Sequence, residues 1–321
     1  MAAVPDVRLP ELVDLWQVRA TDLDPLLEEE VAAWRDALDW DFRPSADLVR
    51  RFVDVRALSG YALLIGERLA GYCYFVSEDH KGLVGDLFVR ARHRTADNEH
   101  RLLAAVVDHL MRTRRVRRIE SQLMLVDSLR ARLLPGFPHA HTYLRNFMAA
   151  DLREARALTP KLVPGILFDR WSERRQEESA QLIASAYRGH IDSEINDQYR
   201  SPAGARRFLF NIVQYPGCGT FFPPASWAAA HADTGRLCGL SLTSMVAPGV
   251  GHITQICVSP ALKGKGVGYE LLRHSLQSLA ASGARKASLT VTTANEQAVR
   301  LYERVGFHTL RQFPAFVWEG F

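Results

Sequence analysis

Arg68-Leu69-Ala70-Gly71 returns in the second half of the chain as Arg236-Leu237-Cys238-Gly239, and other pairs follow in the same order. Leu87-Phe88-Val89 matches Ile256-Cys257-Val258, Leu102-Leu103 matches Leu271-Leu272, and Gly136-Phe137 matches Gly306-Phe307. A repeat constrains the fold more than any local propensity, because both halves must build the same supersecondary framework. Either half alone supports a small α+β domain, and the two together suggest a tandem. At 321 residues the chain is long enough for about two domains of roughly 150 residues, each burying a core without covalent staples. The join is expected between Ala149 and Pro164, with residues 1–150 as the first domain, 151–165 as a linker and 166–321 as the second. Within the linker, Leu158-Thr159-Pro160-Lys161-Leu162-Val163-Pro164-Gly165 carries prolines and a glycine that no continuing helix tolerates.

Composition excludes several classes. Cys73, Cys218, Cys238 and Cys257 are scattered without a C-x-x-C pair, and no secretory segment is read at the N-terminus, so reduced thiols in a cytoplasmic protein are expected. No apolar run approaches the ~20 residues needed to cross a bilayer. The formal charge of +4 argues for neither nucleic acid nor a membrane surface, and the histidines show no metal-ligand spacing. Arg112-Thr113-Arg114-Arg115-Val116-Arg117-Arg118 resembles a nucleic-acid patch, but it falls at the expected C-terminal end of a helix, where cations offset the dipole.

The second half carries the chemistry. His252-Ile253-Thr254-Gln255-Ile256-Cys257-Val258 has β-branched, strand-like content, Ser259-Pro260 stops the ladder, and apolar residues recur at helical spacing from Tyr269 to Ala281. Between them stands Lys263-Gly264-Lys265-Gly266-Val267-Gly268. A glycine turn after a strand and before a helix aligns free N–H groups with the positive end of the helix dipole, which suits a pyrophosphate. The dinucleotide fingerprint does not fit: its first glycine directly follows the strand and an acidic residue ends the next one, whereas Lys286 to Thr293 ends in threonines. Further strands are expected at Leu237–Val246, Ala287–Thr292 and Phe313–Trp318. Helices are expected over Glu173–Tyr187, Gly268–Ala281 and Glu296–Val305, the last capped by Gly306.

Taken with Asn295 and Leu301-Tyr302-Glu303-Arg304-Val305-Gly306-Phe307, the glycine turn resembles the acyl-CoA site of the GNAT superfamily of N-acetyltransferases, from about Gly235 to Phe316. The resemblance implies an α/β (α+β) fold of two tandem GNAT-like domains, each a mixed, mostly antiparallel sheet flanked by helices. It implies that the backbone of Ile256, Cys257 and Val258 pairs with the pantetheine amides of acetyl-CoA and that one N–H holds the thioester oxygen. Gly264, Gly266 and Gly268 would let the backbone approach the pyrophosphate, with Lys263 and Lys265 as cations and Val267 among the cofactor-binding residues. Lysine stands at Lys263 where the family usually has glutamine or arginine, which gives up a planar fork.

Tyr302 is the leading general acid, since a phenol of ordinary pKa near ~10 is a donor at neutral pH; the alternative is one more core aromatic. Asn295 would hold the pantetheine arm or orient the helix of Tyr302. His252 is the candidate base, sharing one strand face with Thr254 by two-residue alternation, the alternative being a hydrogen-bonded strand histidine. Asp192, Glu194 and Asp197, in His190-Ile191-Asp192-Ser193-Glu194-Ile195-Asn196-Asp197, are read either as attracting a cationic amine or as solvated capping acids. Cys257 is read as a small apolar residue.

Opposite the glycine turn the first half has Arg94-Thr95-Ala96-Asp97-Asn98-Glu99, whose side chains and charge would repel a pyrophosphate, and opposite Tyr302 it has Arg132. The first half is therefore expected to be a degenerate copy, and the second an N-acetyltransferase transferring an acetyl group from acetyl-CoA to a primary amine, small molecule or peptide, by direct attack. A non-catalytic acyl-CoA-sensing or interaction module, and a tandem enzyme of the mycothiol synthase type, stand as alternatives. A tandem pair takes the place of the homodimer that single-domain relatives form, so a monomer is expected.

Overall fold

The chain folds into two units, each with a sheet completed by a strand from the other half of the sequence. The computed structural model describes residues 10–126, 134–215 and 217–321. The first unit draws on residues up to Ala37, Phe42–Tyr143 and Phe313–Phe321, the second on Leu38–Asp41 and Leu144–Gln312.

In the first unit β1 (Glu11–Asp14), α1 (Ala20–Leu38) and α2 (Arg43–Asp54) precede β2 (Ser59–Ile65), β3 (Arg68–Glu78), β4 (Lys81–Val89), α3 (Ala96–Arg112) and β5 (Arg118–Gln122). Its strands lie in the order β1-β2-β3-β4-β5-β13, where β13 is His308–Glu319. Only β4 and β5 run parallel in this set. Leu102, Leu103, Val106, Val107 and Leu110 form the apolar face of α3 and pack on that sheet with Phe316 and Trp318.

The second unit begins its sheet with β6 (Ala140–Asp151), followed in sequence by β7 (Ile166–Arg170), α4 (Gln176–Ala186), α5 (Ile191–Ile195), α6 (Pro202–Gln214), β8 (Thr220–Phe221) and β9 (Trp227–His231). Then come β10 (Leu237–Ala247), β11 (Val250–Val258), α7 (Val267–Ala281), β12 (Lys286–Thr292) and α8 (Glu296–Arg304). The strand order is β6-β12-β11-β10-β9-β7, with β8 on β10. One face carries α7 and Tyr302 of α8 over Met148, Leu289 and Val291. The other carries Ile183 of α4 and Leu209 of α6 over Leu240, Leu242 and Cys257.

The expected elements of the second half are found within a few residues of their anticipated ends, although Glu173–Arg175 is a 3-10 turn ahead of α4. The boundary differs from a cut between Ala149 and Pro164. Residues Asp151 to Arg145 pair antiparallel with Lys286 to Thr292, so this stretch completes the second sheet, while Ala315–Glu319 pairs with β5. Nor is the proline segment a free tether: Tyr269 donates to the Thr159 carbonyl at 2.8 Å, and Lys161 N donates to Glu270 Oε1 at 2.5 Å. The arginine run splits, with Arg112 ending α3 and Arg118 buried in β5 beside Glu120 and Glu319.

The repeat persists as a packing device. A Cβ built on Gly82 would stand 2.7 Å from both methyls of Leu110, and one on Gly251 would stand 2.6 Å from both methyls of Leu279. In both units a strand glycine lets the helix leucine sit on the sheet. Gly251→Ala should therefore cost about 1–3 kcal/mol through overpacking, read from the denaturant midpoint. A loss well below that would mean that Leu279 has room to move. In the double variant with Leu279→Ala the two losses should be less than additive.

Candidate active site

The strands of the second unit open where the repeat places its chemistry. Parallel pairing of β11 with β12 spans Val250–Ile253 against Lys286–Leu289 among the described residues, yet β11 runs on to Val258 and β12 to Thr292. A bulge lies between Gln255 and Ile253, opposite Leu242 and Thr243, and Thr254 Oγ1 donates to the Leu242 carbonyl at 3.0 Å. A bulge bends and twists its strand, which separates β11 from its parallel neighbour. Ser259 N bonds the Cys238 carbonyl at 2.8 Å, and Gly239 pairs with Val258. By the alternation of antiparallel ladders, Cys257 faces β10, while Ile256 and Val258 turn their N–H and C=O to the open edge. Of the three residues whose backbone was expected to meet pantetheine, Ile256 and Val258 thus present backbone left free by β10 to the open edge and Cys257 does not. The Cys257 side chain is buried in the α4 and α6 core, and burial pushes its thiol well up.

From the end of β11 the chain makes a 3-10 turn over Pro260–Leu262 and reaches Gly264 at φ 78° and Gly266 at φ 92°. These left-handed conformations favour glycine and aim the turn ahead of α7. Glu270 N bonds the Gly266 carbonyl at 3.1 Å, so the N–H groups of Val267, Gly268 and Tyr269 stand ahead of the helix ladder. Val267 anchors the start of the helix, with its side chain fully buried. Gly268 has ordinary room for a Cβ, 3.6 Å from Leu301 and Val258. Lys263 and Lys265 are exposed, and Lys263 lies near enough for its charge to act on His190 and Cys257.

Tyr302 is buried in the α7 and α8 core, its ring edge-on to Phe307 with centroids 6.1 Å apart. Burial, and then the negative Asp192, raise its pKa, with Arg145 opposing. Asn295 caps α8, accepting from Ala298 N at 3.3 Å, and its Nδ2 lies 3.3 Å from His190 Nε2.

Asp192 is buried, and Thr292 at the end of β12 donates its hydroxyl to Asp192 Oδ1. Its Oδ2 lies 3.7 Å from His190 Nδ1, and its N–H donates to the same nitrogen at 3.2 Å. Burial lowers the pKa of His190; Asp192 opposes this and Lys263 adds to it. Tyr187, which follows α4, sends its hydroxyl to Gln255 Oε1 at 3.2 Å and the Ile256 carbonyl at 3.3 Å, and stacks on Tyr199 at 4.4 Å. Gln255 Nε2 is buried and has no hydrogen-bond partner among the described residues.

The expected site residues therefore part company. Tyr302, Asn295, Asp192 and the open backbone of β11 are joined through shared partners and charges. Glu194 instead pairs with Arg200 at 2.9 Å on the surface, and Asp197 opens the next 3-10 turn. His252 is buried between Trp40 at 5.0 Å and Phe147 at 6.2 Å, its Nδ1 2.8 Å from Ser288 Oγ. Burial, with Arg145, pushes its pKa down to about 3, so it is a weak base and reads better as a hydrogen-bonded strand histidine. Sequence reasoning missed Tyr187, Thr292 and His190 as members of this group, since the fold alone brings three separate segments to one edge.

The first unit keeps the opening but not the cradle. Its parallel pairing spans Lys81–Val84, and a bulge follows. At the glycine turn's place Thr95 is extended at φ −122°, and its hydroxyl oxygen accepts from Asn98 N at 3.2 Å, so α3 starts directly. Ahead of it, Glu29 accepts from Ala91 N at 2.6 Å and Arg90 Nε at 2.8 Å. On the strand, Leu87 N is taken by Asp86 Oδ1 at 2.7 Å. Asp86 itself, pushed up to about 6 by burial, lies near Glu30, whose Oε2 takes the Tyr72 hydroxyl at 2.8 Å. Arg132 lies outside the described residues.

Residues 191–307 match the profile of the acetyltransferase (GNAT) family. The chain carries a GNAT-family domain. The match to mycothiol acetyltransferase of Acidimicrobium ferrooxidans is 37% identical over 103 residues, covering 31% of this chain and 33% of that protein. A longer match, to mycothiol acetyltransferase of Mycolicibacterium gilvum, is 32% identical and covers 56% of this chain and 64% of that protein. The chain thus spans about a third of the length of the first of these relatives, and under two thirds of the second. Among solved structures, a GCN5-related N-acetyltransferase from Sphaerobacter thermophilus aligns with TM-score 0.68 at 17% identity over 97% of this chain and 95% of that one. A tandem GNAT protein from the clavulanic acid biosynthesis pathway aligns with TM-score 0.59 at 17% identity over 97% and 98%. These likenesses establish the GNAT fold along the whole chain.

Proposed function

We propose that the second half is an acetyl-CoA-dependent N-acetyltransferase acting on a primary amine, with the first half a degenerate copy that binds no CoA. One observation carries this reading. The open edge of β11 ends in a left-handed glycine turn at the start of α7, and the helix of Tyr302 is tied to the same edge through Asn295 and His190. Acetyl-CoA fits these residues: Gly264 has open space around it, donors stand at the helix start, and the Ile256 and Val258 backbone is turned outward. The bound thioester would supply an activated acetyl group. Ile256 N–H offers a fixed dipole for charge developing on a carbonyl oxygen, and Tyr302 donates a proton to the leaving sulfur.

The base is the uncharged His190 with Asp192 beside it. Asp192 attracts an ammonium, and the imidazole takes its proton. The Asp192 N–H faces Nδ1 and the Asn295 amide stands at Nε2, so the proton taken from the ammonium lands on the acceptor nitrogen only by displacing the contact made there, which disfavours the imidazolium and is consistent with the lowered pKa. The groups facing the ring are Asp192, Lys263, Tyr187 and Asn295. Because the ring must be neutral to act, activity should fall only as pH drops through a pKa lying below the ordinary 6.5. His190→Gln should abolish that acidic limb, and His252→Gln should leave its position unchanged. An unaltered limb in His190→Gln would remove the histidine from the mechanism.

The named activity of the relatives favours, as acceptor, the cysteinyl amine of a sugar thiol. Calorimetric titration with acetyl-CoA, followed by thiol release with a panel including cysteinyl glucosamines, peptides, lysine and amino sugars, tests the whole. One molecule bound per chain and turnover with an amine are expected. Two bound would contradict the degenerate first half, and none would overturn the reading.

A further inference from the structure

We propose that Lys161, in the proline segment ahead of β7, is a phosphate-binding cation of the second unit's cradle, laid across the glycine turn by a strap along α7. This rests on the acetyl-CoA reading above and adds to it a residue from outside the glycine motif.

The strap is well anchored. Gln277 Nε2 donates to the carbonyls of Ala155 at 3.3 Å and Leu158 at 3.4 Å. One turn or more toward the helix start, Tyr269 holds the Thr159 carbonyl at 2.8 Å, and Glu270 Oε1 accepts from Lys161 N at 2.5 Å. The chain therefore runs along α7 toward its N-terminus and delivers Lys161 there. A Cβ built on Gly266 would meet Lys161 Cδ at 3.0 Å, Cε at 3.1 Å and Nζ at 3.4 Å. The ammonium thus lies over the one glycine of the turn at which α7 begins, beside the N–H groups that precede the helix ladder.

Charge favours an anion at this place. The carboxylate nearest the strap, Glu270, is buried and satisfied by Arg273, whose Nε and Nη2 donate to Glu270 Oε2 at 2.9 and 2.7 Å. Lys161 is exposed, and its side chain donates to no carboxylate among the described residues. Lys263, by contrast, places its charge near His190 and Cys257, toward the end of β11. The two lysines are then divided between the strand side and the helix side of the turn. Lysine acts on phosphate as a mobile point charge and needs no fixed fork, which suits a residue on an extended strap. The first unit has no counterpart, since its turn is closed by Thr95 and Glu29.

The test is calorimetric titration of the full chain with acetyl-CoA, repeated at several salt concentrations. Lys161→Met keeps the stem that covers Gly266 and the backbone bond to Glu270 but removes the charge. It should raise Kd about tenfold and make log Kd less steep in log salt, whereas Lys161→Arg should bind within about threefold of the parent. Unchanged affinity in Lys161→Met would overturn the proposal, as would equal weakening in Met and Arg, which would mark a packing role. Failure of the parent chain itself to bind acetyl-CoA would sink the cofactor reading and this assignment with it, and is distinguishable because the variants are compared with a parent that binds.

Discussion

A Gly266→Glu variant is expected to lose acetyl-CoA binding while keeping its fold. Gly266 sits at φ 92° and ψ −5° immediately before α7, where an L side chain costs about 1–2 kcal/mol. That alone does not unfold a domain, because the position is half-buried in a turn and the nearest neighbours of a new Cβ are atoms of the flexible Lys161 side chain. Charge supplies the larger effect. A carboxylate at the helix start would compete for the donors of Val267, Gly268 and Tyr269 and neutralise Lys161 or Lys265 by pairing. Together these should raise Kd by about a hundredfold or more, measured by calorimetry, with the thermal midpoint displaced by only a few degrees. Gly266→Ala separates strain from charge and should be the milder variant. Retained affinity in Gly266→Glu would remove the glycine turn from the site. The first unit illustrates the same change: the repeat puts Asp97 opposite Gly266, and there the helix starts at Ala96 with no glycine turn.

The cradle and the strand before it are legible in the sequence because each has a local cause. Left-handed turns call for glycine, strand content calls for β-branched residues, and the two follow one another within residues 252–268. The exchange of final strands is not legible. The apolar residues of Phe147–Ala150 and of Phe313–Trp318 mark each stretch as a strand, but period-two patterning says which face is buried and leaves open which neighbour lies alongside. The choice between His252 and His190 as base turns on a related limit. Alternation put His252 on the right strand, yet it cannot show that Trp40 and Phe147 cover that face; Trp40 comes from a part of the sequence assigned to the other domain. His190 stands at the edge of the acidic stretch in the sequence, and what distinguishes it, Asn295 at one nitrogen and Asp192 at the other, exists only after folding. Lys161 hid in a segment whose prolines were read as a tether. Those prolines exclude helix and leave extended chain, which is also what a strap along α7 requires.

Tyr302→Phe is expected to lower kcat about a hundredfold without weakening acetyl-CoA binding or the fold. The ring packs with Val305, Phe307 and Leu272, and phenylalanine reproduces that packing. The hydroxyl donates to no group among the described residues, so its loss leaves no stranded partner; stability should hold or rise slightly. A purely structural tyrosine would behave in the same way in a melting experiment, and the rate is what distinguishes the roles. Burial, with Asp192, raises the phenol above its ordinary value of 10.0, so the proton is retained across the whole working range and is released only to a strong base. A departing thiolate has an ordinary pKa of about 8.5, but charge developing on sulfur in a poorly solvated place is costly unless a donor stands beside it, and the phenol supplies that donor as the sulfur leaves. The parent enzyme should accordingly show no alkaline limb from Tyr302 below pH 10, and the variant should recover part of its rate with an acyl donor whose thiol is more acidic than that of CoA. Equal kcat in parent and variant would assign Tyr302 to the core and leave the leaving group to solvent. A fall in kcat confined to thiols of ordinary acidity would place the proton transfer at this hydroxyl.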